Sequence, residues 1–301
     1  MITPQNGIFA QGTHSHYFLE LDLREGCSPE RALTSLRLLG APEVSAGGVN
    51  FVIAFGADLW RAIAPGEAPP DLGRFPDIRG RGGKQVAASQ HDVWLWFNGS
   101  TPDVVFDHAR SAWLAVKDVT TLATEQPCFV YRDSRDLTGF IDGTQNPPPL
   151  DAPGVALIST GLPGGGGSHV LVMRWVHDLD AFHALPVEEQ ERIVGRRKHD
   201  SSPLTSQQRH PTGHLARVQI DVDEVEQQIY RRSVPYGTVA ENGLYFVGFS
   251  SERNRFDVML ASMFGTAEDG LHDRLMDFSR PVGGAFYFAP SLTTWRSCAM
   301  R

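Results

Sequence analysis

An α+β fold built twice, each copy a βαββαβ unit with an antiparallel sheet, is what this 301-residue sequence predicts. Three observations carry the prediction. Apolar residues alternate with period two in segments that recur through both halves of the chain. Helix-like segments with capping residues sit between those segments at matching places. A stretch rich in proline and glycine, residues 146–168 ("NPPPLDAPGVALISTGLPGGGGS"), separates the two sets.

Taken in order, the first half reads strand, helix, strand, strand, helix, strand. The strands are 17–23 ("YFLELDL"), 49–55 ("VNFVIAF"), 92–97 ("DVWLWF") and 128–133 ("CFVYRD"). The first helix opens on Ser28 as N-cap with Pro29 at its first position, and Gly40 ends it. The second, "TPDVVFDHARSAWLAVK", opens the same way on Thr101, Pro102 and Asp103. The second half repeats the theme. A strand at 169–176 ("HVLVMRWV") precedes a short helix in "PVEEQERIVG", an extended segment at 214–222 ("HLARVQIDV") and a strand at 244–250 ("LYFVGFS"). A helix over 254–265 and the strand "GAFYFAP" close the unit. That helix puts Phe256, Met259, Leu260, Met263 and Phe264 on one stripe, which is read as core packing against a sheet. Two such units are the ferredoxin-like arrangement, with helices on one face of each sheet. The domains are expected at 1–147 and 148–301.

Composition narrows the function classes. With 41% hydrophobic and 21% charged residues the chain is an ordinary globular protein. The formal charge of -8 and basic clusters no longer than Arg196-Arg197-Lys198 and Arg231-Arg232 argue against a nucleic-acid face. No stretch approaches the ~18 apolar residues of a membrane span. No basic region followed by an apolar run opens the chain. Three scattered cysteines, Cys27, Cys128 and Cys298, form no CxxC pair, so neither a zinc ribbon nor a disulfide framework is expected. A reducing cytoplasm is the expected compartment.

Phosphate-binding glycine loops are eliminated by context. "RGRGGKQ" lacks the spacing and the Ser/Thr of a P-loop, and "LPGGGGS" precedes a strand instead of following one. His14 and His16 share a strand face but have no acidic or cysteine companion. His210 and His214 have helical zinc spacing, which Pro211 and Gly213 spoil. A single histidine at the end of the long polar loop 199–213 suits a different metal. Haem iron needs only one protein ligand, with a carboxylate or carbonyl on the other ring nitrogen. Asp142, on the rigid turn "GFIDGTQNP" (139–147), would suit such a site as an acid/base group, although an Asp in a glycine turn is more often a local turn cap.

Five elements in order narrow the choice: "GFIDGTQNP" (139–147), "GRRK" (195–198), "HPTGHLARV" (210–218), "YRRSVPYG" (230–237) and "LMDFSRPVGGAFYFAPSL" (275–292). Together they resemble the dye-decolorizing peroxidases, most closely the shorter bacterial B-type branch, over most of the chain. The resemblance implies one haem b per chain, hydrogen peroxide as oxidant, a small organic reductant such as a dye or phenol, a high-valent iron-oxo intermediate and a homo-oligomer. It implies Asp142 and Arg231 as the distal acid/base and cation, and His214 as the axial ligand of the haem iron. Asp277 is implied as the carboxylate behind His214, and Arg196 as partner of a haem propionate. Gly143, Thr144 and Gln145 are expected along the haem edge. Ser233 stands where many relatives have Asn. Arg232 is expected to be a surface ion-pair residue, since successive strand residues face opposite ways. Trp113, Trp295, Tyr236 and Tyr287 are candidate electron relays to bulky donors. The alternative within the same branch is haem handling, as a carrier or in iron release from intact porphyrin.

Overall fold

The computed structural model describes residues 2–40 and 48–300, apart from the side chains of residues 299 and 300. The first half runs β1 (Ser15–Leu23), α1 (Pro29–Leu36), β2 (Asn50–Phe55), α2 (Ala57–Ile63), the two-residue strands β3 (Ile78–Arg79) and β4 (Gln85–Val86), β5 (Val93–Gly99), α3 (Pro102–Val116) and β6 (Thr120–Phe129). In the second half α4 (Ala152–Ala156) leads to β7 (Ser168–His177), α5 (Leu179–His183), α6 (Val187–Val194) and α7 (His214–Val218). The short hairpin β8 (Asp221–Val222) and β9 (Val225–Glu226) follows, then β10 (Tyr230–Arg231), β11 (Val234–Gly237), β12 (Asn242–Ser250), α8 (Asn254–Phe264), β13 (Ser279–Ala289) and α9 (Leu292–Met300).

The first four long strands lie in the order β2-β5-β1-β6 and the second set in the order β10-β12-β7-β13, with β11 also on β12. Both orders place the third strand of a unit beside its second and first, and the first beside the fourth. This is the ferredoxin-like topology, occurring twice. A single antiparallel pair, Phe288 with Phe55, joins β13 to β2. Capping follows the sequence at α1, where Ser28 Oγ accepts from the Arg31 amide at 3.3 Å and Gly40 ends the following turn at φ 77°.

Period-two alternation sorts the side chains into three cores. On β5, Val93, Leu95 and Phe97 pack with Leu33, Leu36, Val105 and Ala109 of the first half's helices. Trp94 and Trp96 face the other way, into a layer shared with Val172, Tyr245, Val247 and Tyr287 of the second sheet. The third core puts Leu171, Met173 and Phe286 against Phe256, Met259, Leu260 and Phe264 of α8. The middle layer therefore belongs to both halves. Glu20 is buried in it and accepts the Tyr287 hydroxyl at 2.5 Å and the Tyr245 hydroxyl at 3.2 Å. Burial pushes the Glu20 carboxyl up, and the Tyr287 bond opposes the rise.

Three expectations are corrected here. The strand expected at 128–133 is β6, which begins at Thr120 and ends at Phe129, because residues 131–142 fold into a separate loop. The extended segment expected at 214–222 opens with α7, one turn too short for a periodicity to register. Tyr236, Tyr287 and Trp295 are no more than 2% exposed, so of the four candidate relays only Trp113 reaches solvent. Among the described residues no helix is long and apolar enough to cross a membrane.

Candidate active site

Beyond β6 the chain turns back on itself. Arg135 bridges Tyr131 and Ile141, and the Asp142 amide donates to the Ser134 carbonyl at 2.9 Å. Gly139 (φ 91°) and Gly143 (φ 72°) take left-handed conformations that favour glycine, which lets the loop close this tightly. The Arg135 guanidinium donates to the carbonyls of Gly139 (2.8 Å) and Lys198 (2.7 Å), tying the loop to the second half. Phe140 anchors it in a small core with Phe182 and Ile193. Asp142 does cap its own turn: its Oδ1 accepts from the Gly143 amide, at 2.6 Å. The carboxylate is nevertheless set deep in the protein and lines a cavity. Desolvation pushes its pKa up, the positive charge of Arg231 opposes the rise, and Asp136 adds to it.

Arg231 enters the same cavity from β10, a two-residue edge strand paired with β12 alone among the described residues. Burial lowers the pKa of its guanidinium and the Asp142 charge restores part of it. Its Nε is buried without a hydrogen-bond partner among the described residues. Ser233 also lines the cavity, and its hydroxyl accepts the Val247 amide at 3.3 Å. Arg232 corrects the sequence reading. It donates to the Ile8 carbonyl at 2.9 Å and lies 5.0 Å from the Trp96 ring centroid, a cation–π contact in place of a surface ion pair.

His214 is the first residue of α7, after Gly213, whose added Cβ would meet the Arg192 carbonyl at 2.8 Å. Its Nδ1 lies 2.6 Å from Oδ2 of Asp273, a fully buried carboxylate whose Oδ1 accepts the Leu275 amide at 2.9 Å. Nδ1 is thus engaged, and Nε2 is the nitrogen left for a ligand. Asp277, expected behind His214, is displaced from that role. It pairs with Lys84 at 2.6 Å and is 40% exposed, because the 3₁₀ turn from Arg274 to Asp277 carries it to the surface while its N-cap, Asp273, points inward. Arg196 lines the cavity, donates to the Ser201 carbonyl at 2.5 Å and is desolvated beside Arg231 and Arg209.

Gly143, Thr144 and Gln145 also line the cavity, so every expected site residue except Asp277 reaches it. The stripe on α8 was read as core alone. Phe256, Met259, Leu260 and Met263 line the cavity as well. The space free of protein atoms, the open mouth included, is about 1530 Å³. Sequence reasoning missed a hydrogen-bonded chain on its wall: Ser279 Oγ to His177 Nδ1 at 2.8 Å, and His177 Nε2 to Asp136 Oδ1 at 3.1 Å. Burial alone would raise the Asp136 carboxyl, but His177 and two bonds from Thr138 outweigh it and hold it at about 2. No local pattern announces this chain, whose members come from three separate segments. Sequence reasoning also missed Asn146, whose amide meets the backbone of Arg231.

A duplicated ferredoxin-like protein with one deep, mostly apolar cavity holding an imidazole–carboxylate pair and an Asp–Arg pair is the class that fold and site define. The family model "Dyp-type peroxidase, N-terminal" matches residues 5–129, and "Dyp-type peroxidase, C-terminal" matches residues 133–294. The dye-decolorizing peroxidase of Mycobacterium tuberculosis is 32% identical over 248 residues, covering 81% of this chain and 74% of that protein. A putative Dyp-type peroxidase from Shewanella oneidensis superposes with a TM-score of 0.91 at 29% identity, covering 99% of each chain. A variant of DypB from Rhodococcus jostii, solved in complex with heme, superposes at 0.89 with 30% identity over 98% of each chain. The chain belongs to the Dyp-type peroxidase family.

Proposed function

We propose that this chain is a haem b peroxidase that reduces hydrogen peroxide and oxidises a small organic donor. The observation that carries it is the convergence in one cavity of His214, backed by Asp273, with the Asp142–Arg231 pair. The residues fit a haem. The apolar wall of Leu171, Met173, Phe246, Met259 and Leu260 suits a macrocycle. Arg196, beside two other arginines, and the unpartnered Nε of Arg231 ask for anionic groups that the cavity's own side chains do not supply in full. Such groups are available as propionates and as peroxide.

His214 Nε2 would ligate the iron, Arg196 would pair with a propionate, and Gly143 to Gln145 would lie along the porphyrin edge. Bound there, haem supplies the redox-active iron that takes up the oxidising equivalents of peroxide. The protein's share is positional and electrostatic. Asp142 in its ionised form takes the proton from the near oxygen of peroxide and returns it to the far one, so that water leaves. Arg231 pairs with the hydroperoxide anion and with charge that develops as the O–O bond breaks. Asp273 accepts the Nδ1 proton of His214, which fixes the tautomer and raises the basicity of Nε2. Ser233, its oxygen already accepting from Val247, keeps its hydroxyl proton for a donor role shorter in reach than an amide's.

A division at 147/148, a homo-oligomeric assembly and a reducing cytoplasmic location complete the reading. The last is supported by the spacing of Cys27, Cys128 and Cys298, which forms no CxxC pair. The test is the absorption spectrum of the chain reconstituted with haemin, before and after hydrogen peroxide. A Soret band that shifts, followed by return on adding a phenolic or dye donor, is expected; an unchanged band rejects the proposal. Free porphyrin measured in the same samples separates peroxidase turnover from iron release.

A further inference from the structure

We infer that Asn146 is a positioning residue for the distal pair, holding Arg231 in register with Asp142; the inference rests on the peroxidase reading. The argument begins at the edge of the sheet. In an antiparallel pair alternate residues direct their backbone groups toward and away from the partner strand. Directly after β10 the Arg232 amide bonds inward, to the Val247 carbonyl at 2.8 Å. Arg231 therefore presents its N–H and C=O outward, where no further strand lies among the described residues.

One primary amide satisfies both groups. Asn146 Oδ1 accepts the Arg231 N–H at 2.8 Å, and Asn146 Nδ2 donates to the Arg231 carbonyl at 2.8 Å. The side chain stands in for a neighbouring strand at Arg231, which lines the same cavity as Asp142. Asn146 is itself tied to Asp142 by a short route. Its amide donates to the Gly143 carbonyl at 2.9 Å, closing the turn directly after Asp142. Backbone groups of the acid's turn and of the cation's strand are thus linked by three hydrogen bonds through a single residue. A two-residue edge strand has little else to fix its register.

Asn is suited to this, and neither Asp nor Ala is. Asp keeps the acceptor but turns a second oxygen toward the Arg231 carbonyl, and Ala removes both partners. Loss of the clamp leaves Arg231 free to shift, and displacement of a catalytic group by ~1 Å costs on the order of 10²-fold in rate.

The experiment compares Asn146→Ala and Asn146→Asp, each alone and combined with Arg231→Leu, in the haem-loaded protein. Three quantities are read: sodium fluoride affinity of the ferric protein, the rate constant for reaction with hydrogen peroxide, and amide hydrogen exchange at Arg231. Each Asn146 variant alone is expected to weaken fluoride about tenfold and to slow the peroxide step about 10- to 100-fold. Exchange at the Arg231 amide is expected to speed up while that at Arg232 does not. In the Arg231→Leu background the same changes are expected to have no further effect on fluoride or peroxide. Equal losses in both backgrounds, or no loss in either, overturn the inference. If Arg231→Leu by itself leaves fluoride and peroxide unchanged, the functional reading has failed, and the inference falls with it. Should Asn146→Ala fail to fold, Asn146→Asp alone decides, since it retains the bond to the Arg231 N–H.

Discussion

Asp142 and the two carboxylates Asp273 and Asp277 carry the chemistry that is most exposed to test. Burial raises the pKa of Asp142, so on acidification it takes up its proton at a higher pH than an exposed aspartate, whose ordinary value is 3.8. The base form exists above the raised pKa and is lost as pH falls through it. The rate of reaction with peroxide should therefore drop on the acid side, and Arg231→Leu should move that limb to higher pH, since the Arg231 charge is the largest of the influences that lower the pKa. Rapid-mixing rates across pH measure both. Asp142→Asn should cost about 10²- to 10⁴-fold at neutral pH, the usual worth of general acid–base catalysis. Asp273→Asn should raise the ferric/ferrous potential, because His214 loses the carboxylate that makes it a stronger donor. Asp277→Asn should leave the potential unchanged and cost no more than ~1 kcal/mol of stability, as a partly exposed pair with Lys84. Spectroelectrochemistry separates the two acids. The sequence offered both, four residues apart, and its likeness to relatives pointed to the wrong one. Which carboxylate meets His214 is set by the direction of a single 3₁₀ turn, and a turn that short has no periodicity to read.

Short elements place the site, and their positions rest on close backbone approach. α6 ends at Gly195 (φ 92°), where an added Cβ would lie 2.6 Å from the Leu215 Cβ on α7. Gly195→Ala combines backbone strain with that clash, so a loss of about 1–3 kcal/mol is expected in urea unfolding. Because α7 begins with His214, the same variant should release haem faster to an acceptor globin, and an unchanged release rate would show that α7 holds its place without this contact. The loop before Asp142 depends on charge instead. Asp136 is held at about 2, below its ordinary 3.8, so it adds stability that is fully present above pH ~4 and is lost as pH falls toward 2. Asp136→Asn should remove about 2 kcal/mol at neutral pH and flatten stability between pH 4 and 2. Long strands and helices here were legible because each shows one face to a core over several turns or alternations. The loop 131–142, α7 and β10 were not, since their shapes come from partners far away in the chain.

At the level of the whole molecule, the shared middle layer binds the halves. Trp94 and Trp96 of the first sheet pack with Tyr245 and Tyr287 of the second, and Glu20 joins them from β1. Gln5 adds a link, donating to the carbonyls of Ile53 (2.9 Å) and Pro290 (2.8 Å). One cooperative unfolding transition is expected, with no separate melting of either half. Tyr287→Phe removes the closest donor to a buried carboxylate and should cost about 1–3 kcal/mol at neutral pH. The sign with pH is fixed by Glu20: its pKa is raised by burial, so at acid pH it is protonated and depends less on the lost donor. The penalty should shrink as pH falls, which denaturation at two pH values measures.

By itself the sequence determined the order of the long strands and helices, the doubling of the unit, and the segments that hold Asp142, His214, Arg231 and Arg196. Alternation and capping are local properties, and they report which side of an element is buried without reference to its neighbours. Only the tertiary structure decided that Asp273 backs His214 across 59 residues, that Asn146 meets Arg231 across 85, and that Arg232 stacks on Trp96. Those pairings depend on sheet register and on how loops close, which the spacing of residues along one strand or helix does not encode.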